Sequence, residues 1–113
     1  MINAVHSILF ARDADAARAF FADVLGLDSV DAGGGWLIFA LPPAELAVHP
    51  ADEPRHELYL MTDDLDATLG GLRERGVRVA SEPSDEGWGV LAAVEVPGYG
   101  PIGLYQPRHP VPR

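Results

Sequence analysis

The chain has 113 residues and a formal net charge of -9, and it contains no cysteine. Its length suits one domain with a single core, and its 48% hydrophobic content is ordinary for a globular protein. The composition excludes a disulfide framework, and the acidic balance without a basic cluster argues against a nucleic-acid partner.

The apolar segments of the chain are short. No run approaches the length that crosses a bilayer, and residues 1–10 contain no basic stretch followed by a long apolar one. We therefore expect a cytoplasmic protein with no export signal and no membrane partner.

The first half of the chain predicts one strand, one helix and three further strands. An apolar strand is expected over residues 5–10, and the helix that follows has Asp13 as its N-cap and Gly26 as its left-handed C-cap. An apolar stripe at four-residue spacing runs along this helix. Turn residues then separate strands predicted over residues 28–30, 36–41 and 45–48.

The second half predicts the same order of elements. A strand over residues 58–61 leads into a helix that is capped by Asp64 and ends at Gly76. Leu65, Leu69 and Leu72 form the apolar face of this helix. Three strands follow, predicted over residues 77–80, 90–96 and 102–106.

The two halves form an internal repeat. Sliding the sequence by 51 positions places His6 on Glu57 and Asp13 on Asp64. The repeat predicts an α+β fold of two tandem βαβββ modules, about 1–54 and 55–107, followed by a Pro-rich tail at 108–113. One such module cannot cover its own sheet, so we expect the two to form a curved mixed sheet around a cleft. The modules could pair within one chain or between two chains.

This pattern resembles the vicinal oxygen chelate superfamily, which includes glyoxalase I, extradiol dioxygenases, and fosfomycin- and bleomycin-resistance proteins. The resemblance spans nearly the whole chain. It is carried by His6 at the start of a strand, by the helix end at residues 20–27, by the helix start at residues 63–67, and by Leu104-Tyr105-Gln106-Pro107. It implies the glyoxalase/bleomycin-resistance/dioxygenase-like fold, and it implies a homodimer.

The resemblance also implies a possible metal site. In metal-dependent members, four inward side chains hold one divalent cation, and His6 and Glu57 stand at two of those positions. The fourth-strand position has two registers, of which one makes Glu45 a ligand and the other points Leu46 inward and Glu45 to solvent. Gly103 replaces the glutamate that usually provides the last ligand. His6, Glu45 and Glu57 are therefore candidate ligands for one Fe, Mn, Ni, Zn or Mg ion, and a cleft without metal is the alternative.

Aromatic side chains provide a second set of candidate ligand contacts. Trp36 and Trp88 are equivalent in the repeat, and they could stack on a flat or cationic ligand or pack in the core. The cleft is predicted to be lined by Phe10, Trp36, Tyr59, Met61, Trp88 and Tyr105.

Two functions are compatible with these residues. Gly103 favours a small-molecule-binding protein of the glyoxalase/bleomycin-resistance type with an incomplete metal site. His6 and Glu57 favour the alternative, which is a divalent-metal-dependent lyase, isomerase or dioxygenase that acts on vicinal oxygens. No catalytic residue is assigned.

Overall fold

The computed structural model of the chain describes residues 6–112. The fold is α+β, as predicted. Its elements in chain order are α1 (Ala14–Ala19), a π-helical turn (Phe20–Val24), β1 (Ser29–Asp31), β2 (Leu37–Phe39), β3 (Tyr59–Met61), α2 (Leu65–Glu74), β4 (Val79–Asp85), β5 (Gly89–Val96) and β6 (Gly100–Pro107). No helix within residues 6–112 is long and apolar enough to cross a membrane.

The chain divides into two compact units. The first unit comprises Met1–Ala44 and Val96–Gly100, and the second comprises Glu45–Glu95 and Pro101–Arg113. The modules at 1–54 and 55–107 are a division by sequence repeat, and that division stays a prediction.

The first unit is built on its capped helix and a short hairpin. Asp13 caps α1, as predicted: its Oδ1 accepts a hydrogen bond of 3.0 Å from the backbone N–H of Ala16. Phe20 is buried, and the neighbouring Phe21 ring lies with its centroid 5.9 Å from that of Phe39 on β2. β1 and β2 pair antiparallel.

The second unit contains the buried helix α2. The Oδ1 of Asp64 accepts from the Ala67 N–H at 3.1 Å, which confirms the predicted N-cap. Leu65, Leu69 and Leu72 are all buried, as the spacing of the leucines predicts. Gly76 has a φ of 82°, the left-handed conformation expected at the helix end.

The sheet of the second unit has the strand order β3-β6-β5-β4. β3 runs parallel to β6, and β4 runs antiparallel to β5. The pairing of β4 with β5 shifts register between Val79 and Ser81 and again between Ser81 and Ser84. Alternate residues of β5 and β6 are buried, because one face of the sheet joins the leucines of α2 in the core; they include Ala92, Val94, Ile102 and Leu104. The opposite face carries Tyr59, Gly103 and Tyr105.

Two predicted strands do not form. Residues 6–10 and 40–58 lie in no helix or strand, while Val5 lies outside the described residues. The strand predicted at 45–48 is wrong: Leu46 and Val48 are exposed, so no buried apolar face holds this segment in register against a partner strand. The side chains of Ile8 and Phe10 are exposed, so residues 6–10 lack the buried apolar face that would stabilise a strand there. The predicted β-α-β-β-β order is therefore present in the second half, and the described first half contains one helix and two strands.

Candidate functional site

Three aromatic rings lie together on the sheet face of the second unit that is opposite its core. We call Tyr59, Trp88 and Tyr105 the aromatic cluster. The Tyr105 ring is central, with its centroid 6.2 Å from that of Tyr59 and 5.3 Å from that of Trp88. Both pairs are close to perpendicular, the edge-to-face geometry that aromatic rings prefer. Tyr59 is 38% and Trp88 48% exposed, so the cluster offers apolar ring surface to solvent.

Two glycines create the space for the Tyr59 and Tyr105 rings. Gly103 on β6 pairs with Tyr59 on β3, and a Cβ at Gly103 would overlap the Tyr59 ring. A Cβ at Gly89 would likewise overlap the Tyr105 ring. The rings therefore lie directly against the backbone of neighbouring strands, and a side chain at either glycine would lift a ring out of place.

Carboxylates border the aromatic cluster. The Tyr59 hydroxyl donates a hydrogen bond of 3.0 Å to Oε2 of Glu57. Burial raises the pKa of Tyr59 above 10.0, and the hydrogen bond to Glu57 raises this pKa further. Burial also raises the pKa of Tyr105, and the negative charge of Glu45 adds to that increase. Negative charge thus lies beside two of the three rings.

Glu45 has an unusual position for a carboxylate. Its side chain is 20% exposed, whereas that of its neighbour Leu46 is 88% exposed. Ala47 and His49 are exposed as well, so Glu45 alone of this segment is partly buried, and the choice between the two registers stays a prediction. Oε1 of Glu45 lies 3.9 Å from Nε2 of His109, and Oε2 is buried without a hydrogen-bond partner in the part of the chain that the structure describes. A buried carboxylate oxygen without a donor is energetically unfavourable, so this atom is ready to accept one.

The donor set for a metal ion can be tested against these contacts. No group of three or more His, Asp or Glu side chains that could hold a metal ion occurs within residues 6–112. Gly103 has no side chain to donate to a metal, and the Tyr59 ring lies where a side chain there would project. The residues described around the aromatic cluster therefore do not fit a metal ion. Metal binding by His6, Glu45 and Glu57 stays a prediction.

The predicted cleft residues are divided between the two units. The first unit contains Phe10 and Trp36, and the Trp36 ring has the Arg18 guanidinium 5.0 Å from its centroid. The second unit contains Tyr59, Trp88 and Tyr105, together with Met61, which pairs with Tyr105 across the sheet. Both tryptophans are exposed, so the alternative that they pack in the core is wrong. A single cleft shared by all six residues stays a prediction.

Sequence reasoning missed His109. The His109 ring centroid lies 5.6 Å from that of Tyr105, on the segment that follows β6. The sequence contains a signal for this contact. Every second residue of a strand points to the same face, and His109 continues the series of Gly103, Tyr105 and Pro107. The prediction did not use this signal, because the Pro-rich composition of residues 108–113 indicated a tail and not the end of a strand.

Comparison with known proteins agrees with the fold. The family model of the Glyoxalase/Bleomycin resistance protein/Dioxygenase superfamily matches residues 3–103. No curated protein matches the chain significantly.

Several solved structures are similar to the chain. TnmS3, an antibiotic binding protein from Streptomyces sp. CB03234, is 31% identical with a TM-score of 0.63, and the match covers 95% of this chain and 99% of that one. A glyoxalase/bleomycin resistance protein from the same organism is also 31% identical, with a TM-score of 0.60 and coverage of 87% and 95%. A lactoylglutathione lyase from Agrobacterium tumefaciens is 20% identical, with a TM-score of 0.58 and coverage of 92% and 93%, and this match shows the fold alone. The chain therefore belongs to the glyoxalase/bleomycin resistance protein/dioxygenase superfamily.

Proposed function

We propose that this protein binds a small, flat organic compound on the aromatic cluster. The observation that carries the proposal is the set of three partly exposed rings on the sheet face opposite the core, of which Tyr59 and Tyr105 lie over glycines. Covering such ring surface with a flat ligand removes apolar area from water and adds ring–ring contacts. Because the rings already pack against one another, little ordering of these side chains opposes binding.

The charge around the cluster favours a cationic ligand. Glu57 is hydrogen-bonded to the Tyr59 hydroxyl, and Glu45 lies close enough to raise the pKa of Tyr105. The face of an aromatic ring attracts cations, and nearby carboxylates add to that attraction. The formal net charge of -9 acts in the same direction over longer distances.

The similarity to TnmS3 supports binding as the function. That protein is named an antibiotic binding protein, and the 31% identity extends over almost all of both chains. We infer that the ligand here is an antibiotic-like small molecule and that sequestration needs no chemical step. The metal-dependent lyase, isomerase or dioxygenase finds no supporting donor set among the described residues.

The test compares three flat tricyclic probes of similar size, measured by isothermal titration. We expect cationic proflavine to bind more tightly than neutral acridone, and anthracene carboxylate to bind most weakly. Chelator treatment should leave the affinity for proflavine unchanged. Tighter binding of the anion, or loss of binding after chelation, would contradict the proposal.

A pair of aromatic variants locates the binding surface. Trp88→Ala should weaken proflavine binding by about tenfold, the value expected when one stacking contact is removed. Tyr99→Ala is the control, because Tyr99 is an exposed aromatic residue of the first unit, at 40%. Equal losses in the two variants would show that the cluster is not the site.

A further inference from the structure

The tail that follows β6 lies on the aromatic cluster. We define the tail as residues 108–112. Its first residue is anchored twice, since the Arg108 N–H donates to the Trp88 carbonyl at 3.0 Å and the Arg108 guanidinium donates to Oδ1 of Asp85 at 2.5 Å. These contacts direct the next residue, His109, onto the Tyr105 ring at a centroid distance of 5.6 Å.

His109 has the chemistry of the ligand proposed above. Its imidazole is a flat nitrogen heterocycle whose plane is tilted 46° to the Tyr105 ring. Its Nε2 faces Oε1 of Glu45 at 3.9 Å, a distance too long for a hydrogen bond. Oε2 of the same carboxylate has no hydrogen-bond partner among residues 6–112. His109 therefore lies against the Tyr105 ring without donating a hydrogen bond to Glu45.

There is free space beside the docked tail. A cavity of about 270 Å³ is lined by residues from the carboxyl ends of β3 and β6 and by His109 and Val111 of the tail. Two of the residues that line this cavity thus belong to the tail, which lies in no helix or strand. Met61, which also lines this cavity, pairs with Tyr105 of the aromatic cluster.

From these contacts we infer that the tail is an internal competitor for the aromatic cluster. A ligand displaces His109 from Tyr105 and directs its own N–H donor at Glu45. The ligand class is accordingly a flat nitrogen heterocycle that bears an N–H donor. This inference rests on the proposed function, because it concerns the same surface.

Competition sets the size of the expected effect. A binding-competent state that makes up a fraction of the population lowers the apparent affinity by that fraction. If the tail leaves the cluster open for about one-tenth of the time, then removing the tail raises the affinity about tenfold.

Proflavine titration of four chains tests the inference. All four carry Trp36→Phe, so that the fluorescence of Trp88 reports on the cluster alone. They are the parent, His109→Ala, a chain that ends after Arg108, and His49→Ala as the control for loss of an exposed histidine elsewhere. We expect about tenfold tighter binding in the second and third chains and no change in the control.

The outcomes separate the two proposals. If proflavine binds all four chains with equal affinity, or binds His109→Ala more weakly than the parent, the tail is no competitor and the inference is overturned. If proflavine binds none of them, the proposed function itself fails. The chain that ends after Arg108 keeps the pair with Asp85, so it remains informative if His109→Ala fails to fold.

Discussion

At Gly103, the missing side chain gives the Tyr59 ring its place against β6. The family resemblance implies a metal-binding glutamate at this position, so the glycine changes both the expected donor set and the ring surface. An aromatic ring now lies where a carboxylate would project. The replacement was readable from the sequence, but its consequence was not, because the pairing of Tyr59 with Gly103 depends on the sheet register.

Glu at this position should destabilise the protein. Gly103→Glu places a side chain against the Tyr59 ring, and overpacking of this kind costs about 1–3 kcal/mol. The free energy of unfolding in urea measures the loss. Gly71→Glu is the control, since a Cβ at Gly71 meets nothing within 4 Å.

The loss should depend on Tyr59. In a Tyr59→Ala background, Gly103→Glu should cost much less, because the space is then free. An equal cost in both backgrounds would show that Tyr59 is not the reason for the glycine.

The pair of Asp85 and Arg108 predicts a pH dependence. The hydrogen bond from Arg108 holds the pKa of Asp85 below its ordinary value of 3.8, and a backbone hydrogen bond from Gly87 adds to the effect. A lowered folded-state pKa means that the contribution to stability is complete above pH 3.8 and is lost as the pH falls through the lowered value. Arg108→Ala should raise the pKa of Asp85 towards 3.8, as measured by NMR titration of its carboxyl group.

Arg73→Ala is the matched control for this titration, since Arg73 pairs with Glu82 instead. It should leave the pKa of Asp85 unchanged. A pKa of Asp85 that is identical in the Arg108→Ala variant and the parent would show that the anchor of the tail does not persist in solution.

Among the elements, the helices were predictable and two strands were not. Asp13 and Asp64 cap their helices because a short acidic side chain before an apolar stripe reaches a free N–H within one turn. A strand depends on a partner that is distant in sequence, so apolar residues at 6–10 and 45–48 did not suffice. The alternation of Ile102 and Leu104 with Gly103 and Tyr105 did separate the core face from the aromatic face.

The cap of α2 should contribute measurably to stability. Asp64→Ala removes the acceptor for the Ala67 N–H and should lower the free energy of unfolding by about 1 kcal/mol. Asp63→Ala changes the preceding acidic residue, which is exposed, and should have a smaller effect. Equal effects would indicate general charge loss and not capping.

On the scale of the whole molecule, exposed apolar side chains suggest a partner. Leu46 is 88% and Val48 87% exposed, on a segment that lies in no helix or strand. We propose that a second copy of the chain covers this segment, in keeping with the homodimer that the family resemblance implies. Burying two such side chains gains about 1.5–3 kcal/mol each.

Light scattering of the purified protein tests the dimer. The parent should have the mass of two chains, and Val48→Asp should shift it towards one. Ala51→Asp adds the same charge at an exposed position of the same segment and should remain dimeric. A parent with the mass of a single chain would contradict this proposal.

The central claim is that the aromatic cluster of the second unit binds a flat ligand. The chain has two tryptophans, one in each unit, and each gives one indole N–H signal in a proton–nitrogen NMR spectrum. Trp36→Phe assigns the two signals, and proflavine is then added to the unaltered chain. The Trp88 signal should move in a saturable way, while the Trp36 signal stays in place. Movement of the Trp36 signal alone, or of neither signal, would contradict the claim.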